Sequence, residues 1–178
     1  MAEAFSNKLT RAAGIVTTSS SGAVGIGTTI ITGISTVGVA VSDLIDNTNF
    51  IAGTKVSAIG ISTVYADRDS TNTAAASAQV FKFLGMTTAY TSTSTKSILI
   101  GGTFANNTES QVNLTVEVHD TSAGIQAAIA SKITVPTGSS FVISDAGKTI
   151  LESSDEVRVF CDTANAIDVN LSILTGVS

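Results

Sequence analysis

Tryptophan is missing from these 178 residues, and cysteine, histidine and proline occur once each, as Cys161, His119 and Pro136. A single cysteine excludes a disulfide within the chain, and with a single histidine it leaves almost no room for a Cys/His zinc site. Charged residues are only 13% of the chain, about half the usual quarter. Nine Lys/Arg against fourteen Asp/Glu give a net charge of −5 and a pI near 4.6. Holding a phosphate backbone requires a clustered positive surface, so nucleic acid is not an expected partner. No apolar run is long enough for a membrane-spanning helix, so no membrane partner is expected. Residues Met1 to Lys8 have neither the basic leader nor the apolar stretch of a signal peptide. Aromatics are 5%, too few to furnish the stacking platforms of a carbohydrate cleft.

What the chain does contain is hydroxyls and small apolar residues. There are 26 threonines and 23 serines, and apolar residues make up 43%. A chain rich in Thr, Val and Gly and poor in Lys and Glu favours strands over helices, so the expected fold class is all-β. Residues 2–13 read as the one exception. Ala4, Phe5, Leu9, Ala12 and Ala13 have roughly helical spacing, with Gly14 as the stop. Such a helix is too short to stand alone. The segment 1–14 is therefore expected to be a short helix or arm that docks on its own domain or a neighbouring chain, or stays flexible.

Residues 15–80 read as a small β-barrel-like module. Gly22, Gly25 and Gly27 precede the β-prone run Thr28 to Thr32, an order opposite to that of a dinucleotide fingerprint, so they read as turn glycines. Val37, Val39 and Val41 alternate as in a half-buried strand, and Phe50 to Val56 enter another. Ile59 to Thr63 read as a hairpin connection into Val64 to Asp67. The small-residue stretch 70–80 reads as a linker.

Residues 81–178 read as an antiparallel β-sandwich. Val112, Leu114, Val116 and Val118 alternate with Asn113, Thr115, Glu117 and His119. Val157, Val159 and Cys161 alternate with Glu156, Arg158, Phe160 and Asp162, and Val169, Leu171 and Ile173 with Asp168, Asn170 and Ser172. With 96–104, 126–135 and 139–143 added, these runs are separated by turn residues roughly every 8–12 positions, the pattern of two sheets packed face to face.

The run Gly27 to Ile34, followed by Val41 to Ile45, Ile51 to Val56 and Ile59-Gly60, resembles a short β module of tailed-bacteriophage structural proteins. Such modules often carry proline before Ala-Gly-Thr, where this chain has Ile51. Val135 to Ser140, Leu151 to Val159 and Ala166 to Ser172 resemble a β-sandwich of virion proteins from marine phages, especially those infecting cyanobacteria. The resemblance spans most of the chain and rests on turn-and-core patterns. It implies a virion part and no catalytic residues.

The residues that carry chemistry agree with that implication. A hydrolytic triad needs a histidine base, and His119 stands at a strand end beside Asp120, while Cys161 reads as a core thiol. Asp67 and Asp69 flank Arg68, and Asp155 adjoins Glu156, but neither pair has the spacing of a calcium loop. The expectation is a non-enzyme with no cofactor and no metal. It is a virion-located structural protein that decorates or cements the capsid or joins a neck or collar. Its expected partners are other virion proteins and copies of itself, a trimer being the smallest assembly expected. Phe5, Leu9, Phe81, Phe83 and Tyr90 are the expected interface residues. The alternative is a tail-fibre or receptor-binding adhesive module acting through the loops 106–110 or 120–124.

Overall fold

The computed structural model describes residues 3–144 and 148–177. Every regular element in it is a strand, so the chain is all-β. It divides into two compact units: Met1–Gly14 with Thr87–Ser178, and Ile15–Met86.

The larger unit is a sandwich. Its first strand, β1 (Ala4–Ala13), comes from the N-terminal segment. The smaller unit then supplies β2 (Ile15–Ser19), β3 (Ala23–Val24), β4 (Ile30–Thr32), β5 (Leu44–Asp46), β6 (Val56–Ile59), β7 (Thr63–Ala66) and β8 (Phe81–Gly85). The sandwich resumes with β9 (Thr87–Thr91), β10 (Lys96–Asn106), β11 (Val112–Asp120) and β12 (Ile125–Val135). It ends with β13 (Ser140–Ile143), β14 (Thr149–Glu152), β15 (Glu156–Cys161) and β16 (Ile167–Thr175). One sheet has the order β1-β16-β10-β13, with β14 also on β10; the other has the order β12-β11-β15-β9.

The alternation read from the sequence sets the sandwich core. Leu99, Phe104, Leu114, Val116, Val157, Val159, Leu171 and Ile173 are all fully buried between the sheets. Polar groups inside are tied down. Tyr90 Oη and Ser92 Oγ both bond Ser97 Oγ, at 3.2 and 3.0 Å. Asp155 accepts the Thr121 and Glu152 N–H groups, at 3.0 and 2.8 Å, and so joins two turns.

The expected N-terminal helix is a strand. β1 runs antiparallel to β16, from Ala4 opposite Thr175 to Thr10 opposite Val169. Phe5 and Leu9 are four residues apart, a spacing that suits one face of a helix or of a strand. The backbone of β16 offers the segment a continuous ladder that an isolated three-turn helix cannot match. A bulge between Thr10 and Ala13 interrupts the pairing, which resumes with Ala13 opposite Ile167, and Asp168 accepts the Ala12 N–H there at 2.8 Å. Gly14 follows with φ +122°, where a Cβ would lie 2.6 Å from the Thr163 carbonyl oxygen.

The smaller unit is not a barrel. It holds two open sheets, β2-β8-β5 and β3-β4-β7-β6, around Ile31, Val64, Phe81 and Phe83. The hairpin into β7 is present, but the strand expected at Val37 to Val41 is a turn. Gly38 and Ser42 have φ of +79° and +75°, which breaks the extended backbone on either side of Val39 and Val41. Phe50 is buried, and after a turn in which the Thr54 N–H bonds Ile51 O, Lys55 bridges Leu44 and the chain enters β6 at Val56. The stretch 70–80 is no linker. Ala76 and Val24 exchange both backbone hydrogen bonds, and Ser70 Oγ donates to Gly25 O. The unit accordingly extends through β8, and its boundary falls after Met86 and not at residue 80.

Burial of Asp43 raises its carboxyl above the ordinary 3.8, outweighing the hydrogen bond from the Ala40 N–H. A raised value favours the protonated form in the folded state. The contribution is present below the ordinary carboxyl value and is lost as pH rises through the raised one. Urea midpoints for the wild type are expected to carry this loss across the acid range, and Asp43→Asn to remove that part of the slope. In the sandwich, Leu171→Ala is expected to cost about 2–5 kcal/mol in the same assay.

Candidate interaction surface

The residues with chemical potential are far apart or engaged in holding the fold. On β11, His119 stands opposite Glu156, whereas Cys161 stands opposite Leu114. Five strand residues, about 17 Å, therefore separate the imidazole from the thiol. Cys161 is fully buried in the sandwich core. Asp67 accepts the Lys55 N–H at 2.8 Å, and Glu156 pairs with Arg158 at 2.7 Å. Among the described residues, no group of three or more His, Cys, Asp or Glu is placed to hold a metal ion.

The two loops expected of an adhesin fold onto themselves. Asn106 Oδ1 accepts from the N–H and hydroxyl of Thr108, and its Nδ2 donates to Ser110, Val135 and Pro136 carbonyls. The Ala123 N–H and the Ser122 hydroxyl both bond Asp120 and hold its carboxyl below its ordinary value.

The five aromatic and aliphatic interface candidates separate into two groups. Phe81 and Phe83 are fully buried because β8 is the central strand of its sheet, and Tyr90 is anchored inside the sandwich by Ser97. These three are core residues of their own units and are not available as a surface. Phe5 and Leu9 are 63% and 73% exposed.

Strand registers show what Phe5 and Leu9 belong to. On β1, Ser6, Lys8 and Thr10 stand opposite the buried Ile173, Leu171 and Val169, so they share the inner side of the sheet. Phe5, Asn7 and Leu9 point the other way. Phe5 lies opposite Leu174, Leu174 opposite Ile98, and Ile98 opposite Ile150. These four side chains form an apolar row across β1, β16, β10 and β14 on the outer face. A second row runs Leu9, Asn170, Thr103 and Val142. Asn7, Ser172 and Gly101 lie between the rows. The outward charges of these strands and their flanks lie toward the two ends of the face, apart from Lys148, which directly precedes β14. Arg11 and Asp168 are at one end, and Glu3, Lys96 and Glu152 are at the other.

Alternating strands at a solvated sheet face normally place polar residues outward. Here Ile150 is 62% exposed and Val142 56%, alongside Phe5 and Leu9. Phe5, Leu174, Ile98 and Ile150 therefore set apolar side chains in register over four strands of a solvated face. Sequence reasoning found Phe5 and Leu9 but not Leu174, Ile98, Ile150 or Val142, because the rows exist only once distant strands are in register.

Comparison of the chain with known protein families, with curated proteins and with solved structures finds no match.

Phe5→Ser and Ile150→Ser are each expected to lower the fluorescence of an apolar-surface dye bound to the folded protein. Both side chains are largely in water, so the urea midpoint should move by no more than about 0.5 kcal/mol equivalent.

Proposed function

We propose that this chain is a non-enzymatic structural protein of a tailed-phage virion. It is held on the assembled particle by repeated subunit contacts, as a capsid decoration or cement protein or as a neck or collar component. The observation that carries this reading is the uncharged row of Phe5, Leu174, Ile98 and Ile150 on the outer sheet face, bounded by charges at both ends. Its partners are other virion proteins and further copies of itself. Side chains of Ser, Thr and Asn around the rows lose little rotamer entropy on contact, and repetition over a symmetric particle multiplies weak contacts. The resemblance of the chain to phage β modules and virion sandwiches agrees with this.

Gold-labelled antibody against the protein, applied to intact virions, is expected to decorate the capsid or neck. Finished particles without label would contradict the reading, and label confined to fibre tips would support the adhesive alternative.

A further inference from the structure

β1 ends its sheet: it pairs with β16 on one side, and the sheet order stops there. On its inner side, toward β9 of the other sheet, lies a cleft of about 440 Å³ lined by Ser6 and Lys8 of β1, Thr88 to Thr91 of β9, and Thr93, Ser94 and Thr175. The edge of β1 that does not face β16 is a template for another strand.

The outward residues of this segment read Glu3, Phe5, Asn7, Leu9 and Arg11, and all five are exposed. The series is self-complementary when reversed. Turned about Asn7, acid meets base, phenyl meets leucyl, and amide meets amide. From this we propose that β1 pairs antiparallel with β1 of a second copy of this chain, about a two-fold axis through Asn7. In this register Glu3 lies opposite the partner's Arg11 and Phe5 opposite the partner's Leu9. The inference rests on the assembly reading above, and adds to it the partner, the strand and the register.

Neighbouring registers lose the outer-face matches, and one also opposes like charges on the inner side. One two-residue slip places Lys8 opposite the partner's Lys8 and Phe5 opposite the partner's Arg11. The other slip places Glu3 opposite the partner's Leu9 and Phe5 opposite the partner's Asn7. Like charges directly opposite destabilise a strand pair, and apolar or opposite-charge pairs stabilise it. In the proposed register Lys8 lies opposite the partner's Ser6. Lys8 is a charge on the inner side of an edge strand, a feature that resists indiscriminate pairing. It therefore counts against the register that sets Lys8 opposite Lys8, and the outer-face pairs count against the other. The pairing also extends the apolar face, since Phe5 at the end of one copy's row comes beside the partner's Leu9.

Two variants of the full chain, each adding one cysteine, test this under mild oxidation, with dimer read on a non-reducing gel. The native Cys161 is fully buried. Across the two-fold axis the two Asn7 Cα atoms come within about 5.5 Å, inside disulfide reach. The two Ser172 positions stay about 14 Å apart, three strand spacings. Asn7→Cys should therefore cross-link and Ser172→Cys should not. No cross-link at either position overturns the proposal, and equal cross-linking at both replaces it with face-to-face stacking. As a second measurement, Glu3→Arg should weaken self-association about tenfold or more by opposing like charges twice, and adding Arg11→Glu should restore it. Failure of the double variant to recover also overturns it. Pairing lost in a protein that still sediments with particles refutes this inference alone. Pairing intact without particle binding refutes the virion reading alone.

Discussion

The antiparallel pairing of β16 with both β1 and β10 is the constraint on which the sandwich depends. It joins residues at opposite ends of the sequence, with Ala4 opposite Thr175 and Ser97 opposite the same Thr175. Every second residue of β16, from Ile167 to Ile173, is driven into the core. The side of β1 facing Ile173, Leu171 and Val169 is thereby fixed as the inner side. Once that face is chosen, Phe5 and Leu9 have nowhere to go but outward, because a strand offers only two sides. The same choice places Ser6, Lys8 and Thr10 at the cleft edge, where Thr10 Oγ1 donates to Ala89 O at 3.3 Å. Pairing partners this distant in sequence must find each other late, so β1 has no ladder until the last strand exists.

Polar side chains play a second part. With few charges and no disulfide, the turns are held by buried amides, hydroxyls and carboxylates. Asn106 closes its loop and reaches Val135, and Asp155 links the turn after β11 to the turn before β15. Buried polar groups stabilise only when satisfied, and these make two or more hydrogen bonds each. These groups hold the turns of a chain that has one cysteine and few charges.

Much of the sandwich was legible in the sequence. Val112 to Val118 and Val169 to Ile173 have a strict two-residue period that no helix accommodates. The N-terminal strand was not legible, because residues four apart share a face in either geometry and the deciding ladder is contributed by β16. Val37, Val39 and Val41 alternate as a strand would, and only the positive φ at Gly38 and Ser42 cancels it. The stretch 70–80 reads as flexible because its side chains are small. Its order comes from backbone bonds to Val24, Gly22 and Thr28, which composition does not reveal. For the surface, the sequence identifies exposed candidates but not their neighbours. Phe81 and Phe83 look no different from Phe5 until β8 is seen to be central and β1 to be an edge.

The central claim is that the outer face and open edge of β1 form the contact surface of this protein. Hydrogen–deuterium exchange of the soluble chain against the same chain on the assembled particle tests it most directly. Slowed exchange concentrated in β1 and β14, with the loops 106–110 and 120–124 unchanged, is the predicted result. Unchanged exchange in β1 together with slowing at those loops would contradict it.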